Sequence, residues 1–290
     1  MIVKESLSDR ILERSIVIFM SLWALLTLVP MLSVLAISFS SKGAVETNQV
    51  MLLPVDFAMD SWKKLFQDKT LWIAVRNTAV ATAVGTVLSL TITTLMAYPL
   101  SKKEFRIGKY VMLFTILTMI FNAPIVPYFL TIKKLGLLNN PLVLVVPHLF
   151  GAYNMSIMRT FFRQIPDEME EASRLDGCNP FQTLFYVVIP NSKAVYATLG
   201  LFSGVGLWNQ YRTPLMFINK TALFPLQLKI RQIVQGGSAI LEDVLLDTNN
   251  FNADTLSAAA VVFSMIPIIC VYPFLQKYFV KGAMLGSVKG

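Results

Sequence analysis

The chain has 290 residues, of which 55% are hydrophobic and only 14% charged, with a mean hydropathy of +0.60. A water-soluble domain carries about 25% charged residues, so lipid rather than water is the main solvent here. The net charge of +8 does not indicate nucleic acid, because the basic residues gather at the ends of apolar runs, a layout that reads as membrane topology. Two cysteines, Cys178 and Cys270, make no disulfide framework and are expected reduced, the first on a cytosolic loop and the second in a membrane helix. One histidine, His148, excludes a His-rich metal site.

In chain order, six runs are long enough to cross about 30 Å of hydrocarbon at about 1.5 Å per residue: 15–39, 71–99, 109–131, 141–162, 194–218 and 256–279. Lys4, Arg10 and Arg14 precede the first run, which is too long for a signal-peptide core and lacks a small-residue cleavage site, so it is expected to be an uncleaved helix. The fold class is therefore all-α and polytopic, with six transmembrane helices. An N-tail over 1–14 leads into a membrane domain over 15–279, and a C-tail over 280–290 follows it. Outer loops over 40–70 and 219–255 break an otherwise even spacing. The first holds turn and cap signals at Pro54, Asp56, Asp60 and Ser61, with Trp62 and Trp72 as candidate interface anchors; in the second, the run SAILEDVLLD reads as a short surface helix. Counting Lys and Arg over the alternate loops gives 14 against 10, the heavier set comprising both tails and the segments around 102–109 and 159–193. Both termini are thus expected in the cytoplasm, and the short basic loop SKKEFRIGK is the clearest marker.

No Asp or Glu lies in the interior of any of the six runs. Since an ionisable side chain in mid-membrane costs roughly 2.5–3.5 kcal/mol, a proton-driven carrier would keep one only where its relay needs it. The remaining candidates are Arg76, near one run's end, and His148, which reads as a hydrogen-bonded packing residue. No G-x-x-x-x-G-K-[ST] phosphate loop occurs either. A membrane-embedded enzyme would need a clustered catalytic set, and a single histidine without an intramembrane acid does not supply one. Any transport by this chain would therefore have to be powered by a partner.

The segment Ile165 to Pro190, IPDEMEEASRLDGCNPFQTLFYVVIP, has its own layout. Pro166 is placed for a helix start, and Asp167, Glu168, Glu170 and Glu171 load the positive end of that helix with negative charge. Asp176-Gly177 signals a stop, and Asn179-Pro180 starts a second short helix. Two helices should therefore meet at an elbow. This segment resembles the EAA loop of permease subunits from bacterial ABC importers: Glu-Ala-Ala, three residues, Gly, nine residues, Ile, one residue, Leu-Pro. Glu171-Ala172-Ser173, Gly177 and Val187-Val188-Ile189-Pro190 keep that spacing, with Ser173 for Ala and Val187 for Ile.

Beyond the elbow, the stretches FNAPIVPYFL, LGLLNN, NMSIMRTFFRQIP, LWNQYRTPL and YFVKGAMLGSVKG make most of the chain after residue 70 resemble maltose-type carbohydrate permeases, in particular the subset fed by complex oligosaccharides. The resemblance implies a type I ABC importer permease in the bacterial plasma membrane, paired with a second, homologous permease. It further implies two copies of an ABC ATPase that bind ATP and Mg, and an extracellular solute-binding protein. This chain itself would hold no cofactor. The 163–193 loop would be the coupling loop, seated in a cleft of the ATPase, with Glu170, Glu171, Ala172, Ser173, Leu175, Asp176, Gly177 and Phe181 at the docking surface. Lys281 and Lys289 on a flexible C-tail would reach towards the same interface.

Sugars are held by hydrogen-bonding side chains beside aromatic faces. Trp208, Asn209, Gln210 and Tyr211 in the fifth run, after the Gly204/Gly206 pair, and Asn122 and Tyr128 beside a kink at Pro124 and Pro127 are therefore the candidate substrate pathway. The competing readings are an ABC permease for a non-sugar solute, a secondary carrier and a channel. Co-purification with an ATPase separates the ABC readings from the rest.

Overall fold

The computed structural model describes residues 7–121, 123–236 and 251–287. Among them there is no strand. The helices are α1 (Leu7–Ser38), α2 (Lys42–Glu46), α3 (Asp60–Gln67), α4 (Lys69–Ser101), α5 (Gly108–Ile120), α6 (Ile125–Lys134), α7 (Ala152–Phe162), α8 (Asp167–Leu175), α9 (Pro180–Thr183), α10 (Ile189–Asn191), α11 (Lys193–Trp208), α12 (Arg212–Phe217), α13 (Leu226–Gln235) and α14 (Ala253–Ser287). The chain divides into two compact units, Met1–Lys69 with Ile230–Ile266, and Thr70–Lys229 with Pro267–Gly290.

In the first unit, α1 is one apolar helix long enough to cross a membrane, and none of its apolar window is buried by the rest of the chain. The expected anchor Trp62 is instead a core residue, 5% exposed, because its indole stacks on Phe39 with ring centroids 5.3 Å apart. Trp72 does remain exposed. Ser61 Oγ donates to Thr255 Oγ1 at 2.8 Å, and the Asn252 side chain accepts from Thr255 N at 2.9 Å, which caps the start of α14. The run SAILEDVLLD lies outside the described residues.

In the second unit, α4 is a 33-residue helix, roughly 50 Å at 1.5 Å per residue, and links two separate cores. One gathers Ala97, Leu100, Met155, Met158, Phe162, Leu184, Val188, Val195 and Leu199. The other gathers Ala81, Ile132, Leu137, Val143, Leu144, Phe217, Ile218, Phe224 and Leu228. Burying each such side chain stabilises by about 1.5–3 kcal/mol for the larger ones.

The six runs do not all become straight helices. The first, second and sixth fall within α1, α4 and α14. The third is bent by 116° between α5 and α6, where Pro124 leaves the helical conformation at φ −57°, ψ 150°. The fourth opens with two 3-10 turns, Pro141–Leu144 and Val146–His148, and bends by 47° into α7. The fifth stops at Trp208, so α11 has only 16 residues, and Asn209, Gln210 and Tyr211, read from the sequence as lying within a helix, form a break before α12. The C-tail glycines Gly282 and Gly286, expected to make the end flexible, lie within α14.

Candidate functional site

The elbow forms as its residues dictate. Pro166 sits at the N-cap of α8, one position earlier than a first-turn proline, and Asp167, Glu168 and Glu170 occupy the first turn. Gly177 ends the helix with φ +83°, a left-handed conformation that costs a side-chain-bearing residue about 1–2 kcal/mol. Cys178 N donates to Ser173 O and Gly177 N to Arg174 O, both at 3.0 Å, the paired bonds of a Schellman stop. Asn179 and Gln182 then exchange a capping box, Asn179 N to Gln182 Oε1 at 2.8 Å and Gln182 N to Asn179 Oδ1 at 2.9 Å, with Pro180 in the first turn of α9. Ser173 Oγ and Thr183 Oγ1 meet at 2.9 Å and join the two arms.

This geometry sorts the predicted docking residues into two sets. Glu171, Ala172, Asp176 and Gly177 are exposed, and so are two apolar side chains, Leu175 at 90% and Phe181 at 66%. Glu170 and Ser173, placed on the docking surface by the sequence reading, are turned inward: Ser173 bonds Thr183, and the Glu170 carboxylate, 8% exposed, pairs with the Lys102 ammonium. The physical reason is helical periodicity, which puts 170 and 173 on one face and 171 and 175 on another. Lys102 also lies over the Tyr98 ring, 4.7 Å from its centroid, while Lys103 pairs with Asp167 at 3.3 Å in solvent. Arg159 Nε donates to Leu100 O at 2.7 Å, satisfying a last-turn carbonyl of α4. Between loop 101–104 and α8 is an open polar hollow of about 500 Å³, lined among others by Lys102, Glu104, Arg163, Asp167, Glu170 and Arg174. The role of Lys102 was missed in the sequence, although a buried acid at 170 demands a cation and 102–103 supplies two. The backbone of 281 continues α14, and Lys289 and Asn122 lie outside the described residues.

Of the proposed pathway residues, Tyr128, Asn209 and Gln210 sit towards the other end of α4. There Asn77 Nδ2 donates to the carbonyls of Ala222 and Phe224 at 2.9 and 3.1 Å, Leu226 N donates to Thr78 Oγ1 at 2.7 Å, and Asn139 Oδ1 accepts from Asn219 N and Lys220 N. Gln210, 8% exposed, donates from Nε2 to Leu144 O at 2.9 Å and has the His148 side chain beside it. Tyr128 meets Phe217 edge-on at 5.6 Å in the same neighbourhood. Asn209 Oδ1 accepts from Gln227 Nε2 at 3.2 Å, and Tyr211 is exposed. Trp208 belongs elsewhere, to an open apolar cleft of about 490 Å³ lined also by Thr82, Tyr196, Gly200 and Gly204. Tyr128 and Gln210 therefore share one neighbourhood, while Trp208 faces a separate cleft.

Charge divides between these two ends. Six acidic residues lie between Thr70 and Lys229, namely Glu104, Asp167, Glu168, Glu170, Glu171 and Asp176, and all belong to the elbow end. The opposite end has Arg76, Lys133, Lys134, Arg212, Lys220 and Lys229 and no acid from this stretch. Of these six cations only Lys229 is partly buried.

The chain is similar to known proteins along nearly its whole length. Residues 89–284 match the family described as binding-protein-dependent transport system inner membrane component. The chain is 34% identical over 287 residues to the polygalacturonan/rhamnogalacturonan transport system permease protein YtcP of Bacillus subtilis (strain 168), covering 98% of this chain and 100% of that one. It is 33% identical over 293 residues to Protein LplC of the same organism, covering 98% of this chain and 96% of that one. Its fold is similar to that of a chain in the crystal structure of a bacterial ABC transporter involved in the import of the acidic polysaccharide alginate. The TM-score is 0.88 at 34% identity, with 95% of this chain and 99% of that one covered.

Proposed function

We propose, since the chain belongs to the family of binding-protein-dependent transport system inner membrane components, that its α8–α9 elbow is the seat of a separate ATPase. The chain is a permease of a sugar-importing ABC system and not a member of a catalytic enzyme family. The observation that carries the elbow reading is the pairing of Leu175 and Phe181, apolar and 90% and 66% exposed, around the capped turn at Gly177. Large apolar side chains exposed beside the charged residues of α8 gain by entering a partner's cleft. Glu171 beside them offers a carboxylate to a basic residue of that cleft, and Ala172 and Gly177 let the partner's backbone come close. ATP and Mg are held by that partner, a second permease completes the pathway, and a solute-binding protein delivers the sugar from outside. ATP-driven closure moves the elbow and switches the permease pair between inward and outward access. The test is Glu171→Lys in the assembled importer: uptake is abolished and the ATPase no longer co-purifies, with the chain still present in the membrane. Normal uptake would overturn the reading.

The cargo we infer is an anionic oligosaccharide. In the stretch from Thr70 to Lys229 the elbow end holds eight Lys and Arg beside all six acids, whereas the end away from the elbow holds six cations and none of those acids. A local excess of positive charge of this kind raises the local concentration of an oppositely charged solute. The polysaccharide carried by the alginate importer is described as acidic, which supports the same class. Uptake of a uronate pentasaccharide should exceed that of its carboxyl-reduced counterpart at least tenfold, with the advantage shrinking as salt rises. Equal uptake of both would overturn the charge assignment and leave the sugar assignment intact.

A further inference from the structure

The elbow has to be fastened to the membrane helices before any push on it can move them, and beside the apolar core that holds Leu184 and Val188 against Ala97 and Leu100 the structure shows one buried polar tie. Three elements meet at the C-terminal end of α4. The Glu170 carboxylate from α8, with its side chain 8% exposed, pairs with Lys102, whose own side chain is 21% exposed. Lys102 stands one residue past the end of α4, with its ammonium 4.7 Å from the centroid of Tyr98 on that helix. Tyr98 in turn meets Phe162 of α7 edge-on, at 6.5 Å. One turn further along α4, Thr94 Oγ1 is 2.7 Å from the hydroxyl of Tyr196 on α11, and Tyr196 lines the cleft that also holds Trp208.

We propose that the Lys102–Glu170 ion pair is the latch through which movement of the elbow enters α4, and that Glu170 is a positioning residue of the transport cycle rather than a docking contact. The other polar ties of α8 do not have the same character. Lys103–Asp167 is a solvent pair with both side chains more than three-quarters exposed, so each partner is hydrated with or without the other. Ser173–Thr183 joins the arms of the elbow to each other and not to α4. In the pair at 102 and 170, losing Lys102 leaves the buried Glu170 carboxylate uncompensated, while Lys102 itself is only partly buried, so the cost of separating the two is set mainly by the carboxylate. Proximity to the elbow makes Glu170 look like a docking residue in the sequence, but its carboxylate is spent inside the chain.

This inference rests on the reading of the elbow as the ATPase seat, and its test separates the two. Lys102→Glu, Glu170→Lys and the double exchange are made in the complete importer, with its partner permease, ATPase and binding protein, reconstituted in liposomes. Each single variant should retain the co-purifying ATPase and its hydrolysis but move at least tenfold less sugar per ATP. The double exchange, which restores an ion pair of opposite polarity, should return the ratio to within about threefold of the starting protein. The milder Glu170→Gln, which keeps the shape and removes the charge, should fall between. An unchanged sugar-to-ATP ratio in the single variants would overturn the latch. So would loss of the ATPase in Glu170→Lys, which makes Glu170 a docking contact. If the single variants vanish from the membrane and Glu170→Gln, present in normal amount, keeps the full ratio, the pair is a folding tie and the latch is likewise overturned. Failure of the docking reading itself would show in Glu171→Lys, whichever way the exchange falls.

Discussion

The two ends of the unit built on α4 solve opposite problems. At the elbow, local chemistry specifies the backbone: a proline entry, a glycine stop at φ +83° and an Asn179–Gln182 capping box fix the turn almost without help from the rest of the chain. At the other end, residues 209–211 leave the helix and are held by long-range contacts, Gln210 to the carbonyl of Leu144 and Asn209 to Gln227. A self-capped elbow keeps its shape while it is pushed as a body. A break held by a few side-chain bonds can reshape when the helices around it shift, which suits a gate.

The comparison breaks most readily at the elbow. Replacing Leu175 and Phe181 together by Asp should remove the apolar anchors, each worth roughly 2 kcal/mol or more at a protein interface. Sugar uptake should fall more than a hundredfold and the ATPase should be absent from the purified complex, while membrane abundance stays near normal because both side chains are exposed. A smaller effect is expected of Gly177→Val. The left-handed φ penalises a β-branched side chain by about 1–2 kcal/mol, and the turn loosens without losing its contact residues, so uptake should drop about tenfold. Gly177→Asn, which tolerates that conformation, should recover much of it. The smallest effect belongs to the far end. Arg212→Ala removes one of six cations there, so uptake of an anionic oligosaccharide should fall two- to fivefold at low salt and hardly at all at high salt. ATPase binding should not change. An equal loss for a neutral sugar would mean that Arg212 acts through packing and not charge.

How much of this was legible in the sequence follows the same division. The elbow could be read from Pro166, Gly177, Asn179 and Pro180 because capping and turn chemistry are local; the structure reproduces the last three and moves Pro166 from the first turn to the N-cap. The apolar runs located the long helices, since length and hydropathy need no tertiary information. Four things could not be read in full, three of them because they depend on contacts far apart in the chain. Glu170 looked like its neighbour Glu171 until Lys102, 68 residues away, was seen to hold it. Trp62 has the composition of an interface anchor and is buried by Phe39. The helix stop at Trp208 carries no proline or glycine in the break, and the partners of its side chains come from residues 144 and 227. The 116° bend was foreshadowed only as a kink at Pro124, because a proline marks where a helix yields and not how far.

The claim at the centre of the account is that the exposed tip of the elbow meets a nucleotide-hydrolysing partner. A photoreactive phenylalanine analogue at position 181, incorporated in the assembled importer and irradiated in its native membrane, measures that contact directly. The account predicts one dominant adduct, between this chain and the ATPase subunit. Adducts formed only with lipid, or with a protein on the extracellular side, would contradict it.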